Sequence, residues 1–161
     1  MPCDNIALIA AAGSGKTTYI VDEVTKNTTD KILLVTYTIA NTRKLKKDIE
    51  AKVGVVPSNV EIMTWHSFLL QHCIRPFRSV AYKKRIERID FDSKIENYKI
   101  PDKNTRAYYF SCNNALYKDR ATKFAIKCNT LSNNAVIERL ESIYSLIYID
   151  EVQDMAGEDL D

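Results

Sequence analysis

Glycine, proline and cysteine are scarce, four of each in 161 residues, and there is one tryptophan and only two histidines. So little glycine and proline excludes collagen-like repeats and low-complexity linkers. The cysteines, Cys3, Cys73, Cys112 and Cys128, are far apart and form no CxxC pair. That spacing argues for reduced thiols in a cytoplasmic protein, not for a disulfide frame or a zinc site. No apolar run approaches the ~20 residues of a membrane-crossing helix, so no membrane partner is expected. The N-terminal Met1-Pro2-Cys3-Asp4-Asn5 carries no basic patch before its short apolar stretch, which argues against a secretion signal. Net charge is also slight, +2 from 23 basic and 21 acidic side chains. What is present, 45% hydrophobic and 27% charged residues, suits a globular chain with a real core.

The small net charge hides an asymmetry. Residues 75–140 hold 15 basic and 7 acidic side chains and nine of the fifteen aromatics. The chain therefore reads as a core (1–74 and 141–161) split by a basic, aromatic insertion over 75–140.

Buried strands are expected at Ile6 to Ala10, Ile32 to Val35, Val60 to Thr64 and Tyr144 to Ile149, each a short apolar run. Helices are expected over Lys16 to Lys26 and about Thr42 to Val53, the second with Leu45, Ile49 and Val53 on one stripe. Trp65 to Gln71 is expected to turn into helix. Within the insertion, Tyr82 to Arg88 and Asn114 to Lys127 read as helical and Asp90 to Asn104 as irregular. Strand and helix alternate as in a parallel α/β sheet, which binds ligands at the carboxyl ends of its strands.

Ala10-Ala11-Ala12-Gly13-Ser14-Gly15-Lys16-Thr17 fits the phosphate-loop pattern, with Ala10 in place of its first glycine. Gly13 and Gly15 permit backbone torsions that turn successive amides toward phosphate oxygens. Ala12, Ser14 and Thr18 complete the expected nucleotide-binding stretch, and the helix from Lys16 adds its positive end. Lys16 is expected to reach the β- and γ-phosphates of ATP, and Thr17 to hold Mg²⁺. Beyond the last strand, Asp150-Glu151-Val152-Gln153-Asp154 sets two carboxylates side by side. Asp150 suits the magnesium shell and Glu151 suits a general base acting on water.

Four blocks in this order resemble the UvrD/Rep-like superfamily 1 helicases. Ala12-Gly13-Ser14-Gly15-Lys16-Thr17 resembles motif I, and Val35-Thr36-Tyr37-Thr38 resembles motif Ia. Met63-Thr64-Trp65-His66-Ser67-Phe68 resembles motif Ib, and Asp150-Glu151-Val152-Gln153-Asp154 resembles motif II. Ile39 and Ala40 stand where motif Ia usually has Asn and Lys. The resemblance covers Ile6 to Gln71 and Tyr144 to Asp154, and the insertion falls where the family carries its accessory domain 1B.

The resemblance implies a RecA-like P-loop NTPase sheet with a largely helical insertion, and an ATP-driven motor on single-stranded DNA. It implies that Thr36, Tyr37, Thr64 and His66 line the DNA path, and that Gln153 joins Lys16 and Glu151 in catalysis by sensing ATP. Because the sequence stops at Asp161, just past motif II, it is expected to be the N-terminal portion of a larger helicase. A second RecA-like domain would supply the missing arginine finger, and this portion alone would bind Mg-nucleotide weakly and barely turn it over. Two other readings stay open: a phosphate-loop kinase of small molecules, and a nucleotide-binding adaptor without motor activity.

Overall fold

The computed structural model describes residues 15–93, 101–103, 105–111 and 114–150, together with Ile6 and Val152. The expected strand from Ile6 to Ala10 lies, past Ile6, outside the described residues, as do Ala12, Gly13, Ser14, Glu151, Gln153 and Asp154.

The first helix, α1 (Lys16–Lys26), is rich in β-branched residues of modest helix propensity. Packing holds it: Ile20, Val21 and Val24 form one buried stripe. Asn27 ends it, accepting at Oδ1 from Asp30 N at 3.0 Å. Asn59 Nδ2 then donates to Asn27 O at 3.0 Å and Asp30 O at 2.8 Å, tying the end of α1 to the entry of the second strand.

Strand β1 (Ile32–Thr36) leads through a turn into α2 (Ile39–Val53). Thr38 caps α2, accepting from Asn41 N at 3.1 Å. Leu45 and Ile49 of the expected stripe are buried, while Val53, in the last turn, is exposed. Gly54 closes the helix at φ 84, a left-handed conformation that favours glycine. Strand β2 (Val60–Thr64) follows.

The chain then turns at once into α3 (Trp65–Phe68), which continues as a π-helical segment, Leu69–Ile74. That wider turn, with Arg75 N bonding Leu70 O at 3.0 Å, brings Leu69, His72, Cys73 and Ile74 inward together.

The insertion departs from expectation in detail. Residues 82–88 are irregular, because Lys83, Lys84 and Arg85 stay solvated and only Ile86 is buried. Arg75 holds the stretch by donating from Nε to Ile86 O at 3.3 Å. Strand β3 (Ile89–Asp90) and, beyond the short α4 (Arg106–Tyr109), strand β4 (Leu116–Tyr117) form a two-residue parallel pair. The expected helix from Asn114 starts only at α5 (Ala121–Leu131), since Asn114 takes a positive φ of 56 and the next residues pair with β3. Helix α6 (Ala135–Ile143) and strand β5 (Leu146–Ile149) follow. Contrary to the expectation of a buried strand, β5 lies at an edge of the described sheet, and Ile147 and Ile149 are exposed.

The principal sheet is parallel, in the order β2-β1-β5, with Leu34 opposite Ile62 on one side and Tyr148 on the other. Its central strand is buried on both faces. Ile32 and Leu34 join Ile20, Val24, Leu45 and Ile49 beneath α1 and α2. Leu33 and Val35 face a second cluster that takes in Met63, Trp65, Phe68 and Ile74, and also Tyr109, Leu116, Phe124 and Cys128 of the insertion. The insertion thus packs into the core of the sheet. Among the described residues, no helix is long and apolar enough to cross a membrane.

Candidate functional site

Because β1, β2 and β5 are parallel, their carboxyl ends form one edge. Thr36 and Thr64 are register partners there, and Asp150, the residue after β5, donates from its amide to Val35 O at 2.9 Å. Asp150 is 7% exposed. An apolar strand followed by a polar residue that leaves the sheet produces this placement.

Helix α1 is oriented by its two ends. Its C-terminus is tied to the amino ends of β1 and β2, so its N-terminus, with Lys16, Thr17 and Thr18, points to the carboxyl edge. Tyr148 agrees with this. It packs against the cluster that holds Ile20, Val21 and Val24 of α1, and burial, with Glu23 and Tyr19 adding to it, pushes its phenol up. Lys16 is one turn beyond Tyr19, and Asp150 is two residues beyond Tyr148. Gly15 caps α1 at φ 88, a torsion that disfavours any side chain, and its carbonyl accepts from Tyr19 N at 2.8 Å. Among the described residues, no side chain caps the helix, and no acidic residue occupies its first turn. Lys16 and Thr17 are half-buried and Thr18 is exposed.

The four residues expected on the DNA path divide into two kinds. Thr36 is completely buried. Its hydroxyl lies 2.6 Å from Thr42 Oγ1 and donates to Thr38 O at 3.2 Å, so it shapes the turn between β1 and α2 from beneath. Thr64 caps α3, accepting from Ser67 N at 3.3 Å and bonding Ser67 Oγ at 2.9 Å. Tyr37, half-buried, and His66, buried, follow these strand ends and meet with ring centroids 5.7 Å apart. The structure therefore brings Tyr37 and His66 together as a ring pair beside the turns that Thr36 and Thr64 bond, with His66 buried and Tyr37 and Thr64 half-buried, so His66 does not line an open path as expected. Trp65 is buried in the core.

A feature that the sequence did not reveal is Phe91, whose ring lies 5.0 Å from that of His66. The turn chemistry of Asp90 and Ser93 is readable in sequence, but a contact across 25 positions is not.

The aromatic and basic residues of the insertion largely serve each other. Arg120 lies 4.3 Å from the centroid of Tyr108 and Lys127 lies 4.9 Å from that of Tyr109. Arg106 donates to Tyr82 Oη, Ser111 O and Asn114 Oδ1.

Residues 1–129 match the model of the UvrD/REP helicase N-terminal domain. The chain belongs to this family. The fold is therefore the RecA-like one of the UvrD/REP helicases, and the parallel order β2-β1-β5 is part of it. The chain is also similar to Gabija protein GajB of Bacillus cereus (strain VD045), at 29% identity over 162 residues. That match takes in 93% of this chain and 31% of GajB, so the chain spans about a third of this relative's length.

Proposed function

We propose that this chain is the nucleotide- and DNA-binding portion of a superfamily 1 motor that couples ATP hydrolysis to movement on single-stranded DNA. One observation carries the reading. Buried Asp150, after β5, and the Tyr37–His66 ring pair, after β1 and β2, follow the carboxyl ends of three parallel strands, the edge to which this reading assigns the start of α1.

The donor chemistry fits Mg-ATP. The carboxylate of Asp150 and the hydroxyl of Thr17 are hard oxygen ligands of the kind Mg²⁺ takes. Lys16 supplies a cation for the β- and γ-phosphates, and Gly15, with Ala12, Gly13, Ser14 and Thr18, supplies backbone and hydroxyl donors. When bound, Mg-ATP contributes the cleavable phosphoanhydride and its neutralising charge. Glu151 would take the proton of the attacking water on a carboxylate oxygen, and Gln153 would report the γ-phosphate to the DNA-facing turns. Tyr37 would meet a base, backed by buried His66, while Thr36 and Thr64 shape the turns that carry them. In this reading residues 1–74 and 141–161 form the RecA-like core and residues 75–140 the accessory insertion. A second RecA-like domain of the whole protein would bring the arginine that speeds hydrolysis.

The test is nucleotide affinity of the chain with and without oligo(dT), by fluorescence of a labelled ATP analogue. Mutual enhancement, abolished by Lys16→Ala, is the expected result. Indifference of each ligand to the other would overturn the proposal, as would phosphoryl transfer to a small acceptor. Turnover of ~1–100 s⁻¹ by this chain alone would refute the role given to the second domain.

A further inference from the structure

The insertion places one ring at the carboxyl edge that the core does not need. Phe91 is 59% exposed, although phenyl rings are ordinarily buried. It packs against His66 at an interplanar angle of 64°, and His66 packs against Tyr37 at 60°. Three rings from three segments, the turn after β1, the first turn of α3 and the residue after β3, thus make a row that opens to solvent at Phe91. His66, at the centre, is 9% exposed.

The position of Phe91 is fixed from below. Asp90 accepts at Oδ1 from Asp92 N at 3.1 Å and Ser93 N at 3.0 Å, and at Oδ2 from Ser93 Oγ at 2.8 Å. These bonds hold the Asp90 carboxyl below its usual range, with a smaller contribution from Arg88. The turn is therefore built around an ionised side chain at neutral pH. Arg85 and Arg88, which precede it in sequence, are exposed, with Arg85 Nε 3.7 Å from Glu87 Oε1.

We propose that Phe91 is a base-stacking residue for single-stranded nucleic acid, the solvent-facing end of the ring row that begins at Tyr37 and His66. This rests on the motor reading above. A base presents a flat, weakly hydrated face whatever its sequence, and a fixed, exposed phenyl ring matches it. The exposed Arg88, whose charge reaches neighbouring Asp90, suits a connecting phosphate. Phe91 would then lengthen the contacted strand beyond the two motif residues and make the insertion part of the nucleic-acid path.

The experiment is an anisotropy titration of fluorescein-labelled oligo(dT) at fixed salt, with the wild-type chain and Phe91→Ala, Phe91→Leu, Phe91→Trp and Tyr37→Ala. Phe91→Ala and Phe91→Leu should each weaken binding by about ten-fold, within the range of one lost stack. Phe91→Trp should retain affinity, and its emission should be quenched by the oligonucleotide beyond any change at buried Trp65. Unchanged affinity in Phe91→Ala alongside a loss in Tyr37→Ala would overturn the inference and leave the motor reading standing. Equal losses in Phe91→Trp and Phe91→Leu would overturn it too, by assigning Phe91 a structural part. No binding by the wild-type chain would end both.

Discussion

Tyr144 reaches beneath β1 and donates a 2.5 Å hydrogen bond to Glu61 Oε2 of β2, joining the entry of β5 to a strand with which β5 does not pair. Tyr144 is itself buried, and burial, followed by the bonded Glu61, pushes its phenol well above the usual range. A hydrogen bond to a charged acceptor contributes ~1.5–3 kcal/mol, but the partial exposure of Glu61 lets water replace some of it. Tyr144→Phe should therefore cost about 1 kcal/mol, seen by calorimetry as a melting point lower by ~2–4 °C.

Acid should weaken the same cluster through His72. Its Nε2 lies 3.4 Å from Tyr144 Oη and 3.9 Å from Glu61 Oε1, and Arg139 Nη1 lies 3.4 Å from its Nδ1. Burial lowers its affinity for a proton below the ordinary imidazole value of 6.5. Arg139 and Lys31 act in the same direction and Glu61 opposes them. The unfolded chain therefore binds a proton that the fold declines, and stability falls as pH drops through 6.5 toward the lower folded value. Urea midpoints at pH 7.5, 6.5 and 5.5 should decline for wild type, and less steeply for His72→Gln.

Truncating Phe124 tests whether the insertion is part of the core. The side chain is fully buried, with Tyr109 and Phe110 edge-on at 5.2 and 5.0 Å, in the cluster that holds Leu33 and Val35. Phe124→Ala should cost ~3–5 kcal/mol. The loss should lower one transition that is common to far-UV and near-UV circular dichroism. A separate early transition, with the sheet unaffected, would contradict it.

Cys73 and Cys128 should resist thiol reagents in the folded protein. Burial pushes both thiols up to about 12, so almost no thiolate forms near neutrality. Maleimide labelling at pH 8 followed by peptide mapping should leave both unmodified, and urea should expose both together.

Thr36→Val keeps the shape of the side chain and deletes the hydroxyl shared with Thr42 and Thr38. Loss of a buried partner costs ~1–3 kcal/mol. The substitution should also loosen the turn that holds Tyr37. Oligo(dT) affinity should drop several-fold in this variant, while Thr42→Ser should bind like wild type.

The core strands and the helices that pack on them were readable because each carries one unambiguous pattern. Ile32 to Thr36 and Val60 to Thr64 are short apolar runs, and Lys16 to Lys26 is bounded by Gly15 and Asn27. The insertion was less legible because its local signals compete. Tyr82 to Arg88 has the composition of a helix, yet only Ile86 finds a core to enter. Asn114 to Tyr117 gives up helix for a turn and a brief parallel pairing with β3. Nothing in Leu69 to Ile74 marks a π-helical turn, which arises from packing on α5. At the candidate site, the residue types along the carboxyl edge could be read from the motifs. The division between exposed Phe91, paired Tyr37 and His66, and buried Thr36 depends on tertiary contacts.

The Asp150 amide is bonded to Val35, two residues ahead of Tyr37. One ladder rung and Thr36 thus separate buried Asp150 from the Tyr37 ring, so in the proposed reading a change at one has only a short path to the other.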